Sequence, residues 1–235
     1  MKKLELVDYK AFRFNKLMTR EYKHVNYLFF WILYGFLFQG VEHWSWINEN
    51  YYPVYCAFDD LIPFCEYFVV PYIYWFVYLI GFLVFTFFYD VESFTRSMRF
   101  ITVTYLLAIV AYVLFPNGQD LRPVAFERNN IFSQIVAGLY RNDTNTNVCP
   151  SIHVIGSFAV MLPAWHSKYF KTWLWRIVFG VLAVLISIST VFLKQHSIID
   201  VLAAVPVCVL GYVVAYFDVF RSKFGAKKQY QQESI

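Results

Sequence analysis

The sequence predicts an all-α polytopic membrane protein, a bundle of six transmembrane helices with both termini in the cytoplasm. Three observations predict it. Of 235 residues, 59% are hydrophobic, 22% aromatic and only 15% charged, a composition for which lipid is the natural solvent. Apolar runs long enough to span a bilayer, or nearly so, recur at 25–41, 67–89, 100–115, 151–165, 173–193 and 198–220. Lysine and arginine collect at the N-terminus, at Arg96 and Arg99, at Lys168, Lys171 and Arg176, and at Arg221, Lys223, Lys227 and Lys228. These are alternate connections plus both ends, whereas the first loop holds Glu42, Glu49, Asp59, Asp60 and Glu66 and no basic residue, which fixes the orientation.

Taken in order, residues 1–24 form a basic cytoplasmic segment with a helical apolar stripe at Val7, Ala11, Phe14 and Met18, read either as an amphipathic helix on the membrane surface or as a partly ordered tail. No cleavable signal peptide is expected, because the first apolar run begins only after this charged stretch. Residues 25–220 are the membrane domain and 221–235 a cytoplasmic tail. The fourth run, 151–165, is short for a span of about 20 residues, so it is expected to extend toward Tyr169 or to meet a thinned or protein-lined region. Tyrosine and tryptophan crowd the run boundaries, as at Trp44, Trp46, Tyr51, Tyr52, Trp173 and Trp175, where an aromatic belt would lie. The net charge of +4 is spread in short clusters between apolar runs, which excludes a nucleic-acid surface. Of the four cysteines, Cys56 and Cys65 flank an acidic stretch, and a disulfide between them is left open. Asn142-Asp143-Thr144 matches a glycosylation sequon, a pattern common by chance.

Chemistry concentrates at the start of the fourth and sixth helices. Pro150 is placed to open the fourth, with Ser151 and His153 adding side-chain donors to its free N–H groups. Ahead of the sixth, His196 and Asp200 stand one helical turn apart, so the carboxylate can take a proton from one ring nitrogen and leave the other free as a nucleophile. The topology puts Arg122, Arg128, Arg141 and Lys194 outside, against the charge rule. It also puts Arg122, Ser151, His153, Lys194, His196 and Asp200 at one membrane level, with the catalytic core at about 100–220. Arg122 offers a fork for phosphate oxygens and Lys194 a point charge. That inventory suits phosphoryl transfer, and the cations argue against a metal ion on the two histidines and Asp200. His43 and His166 lack such company and are assigned no role.

Arg122-Pro123, Pro150-Ser151-Ile152-His153, and Ser189 with His196 and Asp200 resemble, in order and spacing, the three motifs of the type 2 phosphatidic acid phosphatase superfamily. The resemblance covers the last four helices. It departs where the first motif's basic residue falls on Phe115, where Ile152 replaces glycine and where Thr190 replaces arginine, a pattern leaning toward the inositol phosphorylceramide synthase branch. The resemblance implies that His196 is the nucleophile forming a phosphohistidine, Asp200 its orienting partner and His153 the general acid, with Arg122 and Ser151 on the phosphate. Lys194 is then the candidate substitute for the missing cations. No cofactor is implied. The partners are membrane lipids and a lipid phosphate or prenyl pyrophosphate, and the location is the plasma membrane with the site facing the exterior. Three readings are carried forward: a hydrolase using water, a head-group phosphotransferase using an alcohol, and a non-enzymatic lipid-binding or transport bundle.

Overall fold

The structure, a computed structural model, describes residues 7–47 and 51–217. It is all-α apart from one two-residue strand pair. The expected tail 221–235 and the end of the sixth run lie outside the described residues. Among the described residues the longer helices are α1 (Tyr27–Ile47), α3 (Val69–Tyr89), α4 (Val91–Leu114), α6 (Ile152–His166), α7 (Trp173–Phe192) and α8 (Ile198–Ala215). Two short helices, α2 (Ala57–Leu61) and α5 (Ile131–Asn142), lie in loops where the sequence reading placed none.

Among the described residues four segments are long and apolar enough to cross a membrane: Glu66–Tyr89, Val91–Leu114, Trp173–Phe192 and Ile198–Ala215. Ile152–His166 is apolar but shorter. It ends at His166, short of Tyr169, because Ser167 turns out of the helix and donates its hydroxyl to Asp90 at 2.6 Å. Its shortness goes with its place, since α6 packs on α3, α4, α7 and α8 at the centre of the bundle. Nearly every side chain from His153 to Ala164 is buried, so α6 is lined by protein rather than by lipid.

Close approach of the helices depends on two glycines. A Cβ on Gly156 would fall 2.8 Å from the Trp75 ring and 2.9 Å from the Tyr105 hydroxyl, which is how α3 and α4 reach α6. At Gly211 it would meet Thr104 at 2.4 Å, so α8 lies directly on α4. Helix α4 begins nine residues before the expected run, capped by Asp90, whose carboxylate takes the Ser93 hydroxyl at 2.8 Å. The apolar pattern hid these first turns, since Glu92, Arg96 and Arg99 are polar residues on one helical face.

The longer helices alternate in direction. At one end Glu42 of α1 accepts from Thr144 and Asn147, near the starts of α3, α6 and α8. At the other, Tyr9 bonds His24 (2.8 Å) and the Phe87 carbonyl (2.5 Å), and Asp90 meets Ser167. The described N-terminal segment is not a continuous amphipathic helix. It makes short 3-10 turns at Tyr9–Ala11, Phe14–Lys16 and Lys23–Asn26: Tyr22 donates to the Asp8 carbonyl at 2.7 Å and packs on Phe12, folding the segment back on itself, while His24 packs on Phe87 and Phe94 of the bundle. All four cysteines are free thiols, so Cys56 and Cys65 are not joined.

Candidate active site

Three loops meet over the starts of α6 and α8. β1 (Tyr52–Pro53) pairs in parallel with β2 (Asn117–Gly118), and Gly118 bridges to Thr146. Asn117 is the pin: its side chain takes the N–H groups of Val148 and Cys149 at 2.9 and 2.8 Å and donates to the Cys149 carbonyl at 3.0 Å. Tyr112 donates to the Pro150 carbonyl at 2.7 Å. The segment entering α6 is therefore held before the helix begins. Pro150 does not occupy the first helical position, because Ser151 is the N-cap and Ile152 the first residue.

This clamp brings together the two histidines, 43 positions apart in sequence. The rings of His153 and His196 are edge to face with centroids 5.7 Å apart. Asp200 Oδ2 lies 3.1 Å from His196 Nδ1 and takes the Ser197 N–H at 2.9 Å, so one oxygen both caps α8 and orients the imidazole. His196 itself stands outside the helix, with its N–H on the Thr190 carbonyl. The Ser151 N–H donates to the Asp200 carbonyl at 3.2 Å and ties the two helix starts together. Ser151 Oγ, His153 Nδ1 and Asp200 Oδ1 are all buried without a hydrogen-bond partner. Three such atoms in one cluster are what a polar ligand would satisfy.

The surroundings of Cys149 disfavour its thiolate. Burial, then the charge of Asp200, pushes its thiol up to about 12, so it stays protonated at neutral pH.

Arg122 reaches the site through its neighbours. Its guanidinium donates to the carbonyls of Tyr140 (3.3 Å), Asp143 (3.0 Å) and Thr144 (2.7 Å) and to Gln195 Oε1 (2.5 Å), and lies 4.7 Å over the Tyr140 ring. Gln195 adjoins His196, so the fork stands beside the histidine pair. Its Nε is buried with no partner. Lys194 is placed differently. Its ammonium donates to the Asp59 carbonyl at 2.6 Å, its backbone holds φ 53°, and it borders an outer pocket with Asp60 and Asp120. Burial lowers its pKa, opposed by the charges of Asp59 and Asp60.

No family model, curated protein or solved structure matches this chain. The site therefore has to be read from its own geometry. Among the described residues no group of three or more His, Cys, Asp or Glu is arranged to hold a metal ion.

Several residues of this neighbourhood were not legible beforehand. Asp59 is fully buried and caps α8 from the first loop: its carboxylate takes the Ile198 N–H (2.9 Å), the Ser197 hydroxyl (2.7 Å) and the Cys56 N–H (2.9 Å). Burial raises its pKa, but these hydrogen bonds outweigh that and hold it below the ordinary carboxylate value. The positive end of α8 is thus already occupied by a carboxylate. Tyr72 and Trp75 of α3 sandwich the His153 ring, at 4.4 and 4.6 Å between centroids. Asp143, read only as part of a sequon, accepts long bonds from Gln195 (3.3 Å) and Tyr72 (3.4 Å). It keeps an open face, yet these neighbours crowd its carboxyl, and the lost solvation raises its pKa against the pull of Arg122 and His196. A one-turn spacing reveals His196–Asp200. No comparable local signal marks a residue that arrives from another loop.

Proposed function

We propose that this protein is a six-span integral membrane enzyme that hydrolyses a lipid phosphate or prenyl pyrophosphate through a phosphohistidine on His196, as members of the type 2 phosphatidic acid phosphatase superfamily do. The observation that carries the reading is the meeting of His153 and His196 at 5.7 Å, with only His196 backed by a carboxylate. That asymmetry separates the roles. Asp200 on Nδ1 leaves Nε2 of His196 as the attacking atom, while His153 has no carboxylate behind it and serves as the proton donor.

In the first step His196 Nε2 forms a bond to phosphorus as the phosphorus–oxygen bond to the lipid breaks, and His153 gives its proton to the departing oxygen. In the second, water attacks the phosphohistidine, His153 recovers a proton from it, and inorganic phosphate leaves with His196 restored. Arg122 and the Ser151 hydroxyl neutralise and hold the phosphate oxygens. The alternating helices support six spans, with α1 and the central α6 adding to the four apolar segments. Lysine and arginine are denser at the end away from the site (Lys10, Arg13, Lys16, Arg20, Lys23, Arg96, Arg99, Lys168, Lys171, Arg176) than at the site end (Arg122, Arg128, Arg141, Lys194), and for a plasma-membrane protein this supports the site outside and both termini in the cytoplasm.

Rapid quenching of the full chain with phosphorus-labelled lipid phosphate tests this. An acid-labile, base-stable phosphoenzyme is expected in the wild type and none in His196→Ala. His153→Ala should retain far more activity on a nitrophenyl phosphate, whose leaving group needs no proton, than on the lipid. A phosphoenzyme that persists in His196→Ala, or turnover abolished by chelators, would overturn the assignment in favour of a metal-activated water.

A further inference from the structure

Helices α1 and α3 both lean on α4, and between them runs an apolar groove of about 550 Å3. Leu28 and Trp31 of α1 form one wall, and the α3 face from Trp75 through Ile80 and Val84 to Phe88 forms the other. Its two ends differ. At the upper end the Trp75 indole packs on His153 with centroids 4.6 Å apart, so the groove stops one aromatic ring short of the histidine pair. At the lower end Tyr9 stacks on Phe87 at 5.2 Å and stands edge-on to Phe88 at 5.3 Å, closing the groove near the end of α3.

The dimensions select an occupant. From Trp75 to Phe88 the helix rises about 20 Å, more than the roughly 15 Å of a single leaflet. The groove is narrow and wholly apolar, and its upper end adjoins the histidine pair through Trp75, so what lies in it is continuous with the candidate site. One hydrocarbon chain fits. Trp75 is also unusual among the groove residues: its indole Nε1 is buried with no hydrogen-bond partner, as is the hydroxyl of Tyr105, and both press on Gly156. The indole that divides groove from site is therefore held by packing alone.

We propose that this groove holds the chain of the substrate, a single-chain lipid phosphate longer than one leaflet, and that Trp75 is the partition its phosphate end passes to reach His153. The proposal rests on the phosphoryl-transfer reading for the chemistry of the head and on the groove for the chain.

The test uses the full chain in lipid vesicles and a long-chain alkyl phosphate with a diazirine at the chain terminus. After irradiation, labelling is expected in the α3 peptide around Val84 and Phe88, competed by the unlabelled phosphate and not by phosphatidylcholine. Labelling spread over all lipid-facing helices, or competed equally by phosphatidylcholine, marks ordinary boundary lipid and overturns the proposal. Ile80 and Val84 are more than half exposed, so Ile80→Trp and Val84→Trp should fill the groove without disturbing the core. Each should cut groove labelling and lower the long-chain to short-chain ratio of kcat/KM about tenfold; an unchanged ratio refutes the groove. Groove labelling without turnover of any phosphate would instead sink the phosphoryl-transfer reading and leave the groove as a lipid phosphate site.

Discussion

Replacing Asp59 by alanine probes how the first loop holds the start of α8. The carboxylate is fully buried and accepts from Ile198 N–H, Ser197 Oγ and Cys56 N–H, while its backbone carbonyl takes the Lys194 ammonium. Removing it withdraws a charge from the N-terminus of α8, worth up to about 2 kcal/mol in a partly buried setting. It also removes a charge-assisted bond to the Ser197 hydroxyl, about 1.5 to 3 kcal/mol. The Cys56 N–H is partly accessible and can turn to water, so a loss of about 3 to 5 kcal/mol is expected. For a chain of this size that corresponds to a drop in melting midpoint of roughly 10 °C, readable from tryptophan fluorescence in detergent. Asp59→Asn retains an acceptor for Ile198 and a donor for Ser197 and should lose about 1 to 2 kcal/mol. The pH sign follows from a carboxyl held below its ordinary value. Its contribution is full above the unfolded pKa near 4 and disappears as pH falls through the lower folded value, so the gap between wild type and Asp59→Asn narrows only in strong acid. Because Asp59 holds Ser197, which lies between His196 and the Asp200 that orients it, Asp59→Ala should also lose phosphoenzyme formation. A melting midpoint within 1 °C of wild type would refute the capping argument.

Two further outcomes are expected. Lys194→Met should cost about 1.5 to 3 kcal/mol through the lost Asp59 carbonyl bond, and measured in the double variant with Asp59→Ala the two losses should fall short of additive; full additivity, with turnover lost at unchanged stability, would return Lys194 to the phosphate. For orientation, an impermeant maleimide added outside intact cells should label Val124→Cys above the parent background and spare Lys171→Cys. The reverse pattern would place the chemistry in the cytoplasm.

The helical, apolar character of the chain and the four-residue spacing that pairs His196 with Asp200 were readable from residue order, because hydropathy and short spacings are local properties. Two boundaries failed for local reasons as well. The amphipathic first turns of α4 carry Glu92, Arg96 and Arg99 and so left no apolar run, and of the two readings of the N-terminal segment the continuous amphipathic helix is not what forms, because Tyr22 folds it back onto Asp8 and Phe12.

The residues that decide what the site can do came from tertiary structure. Asp59 reaches α8 from a loop 139 positions from Ile198, Trp75 and Tyr72 reach His153 from α3, and Gln195 takes Arg122 across 73 positions. Nothing in residue order records such meetings, since each depends on how the whole bundle closes. Lys194 shows the difference most sharply. Its position beside His196 makes it a candidate phosphate ligand, and only the fold shows that its ammonium rests on the Asp59 carbonyl with the backbone at φ 53°. Sequence by itself determined a membrane-embedded helical chain carrying two histidines and one carboxylate at helix starts. Only the packing of α6 among four neighbours decided that the two rings would meet, because contact between distant segments is set by the shape of a shared core and not by spacing along the chain.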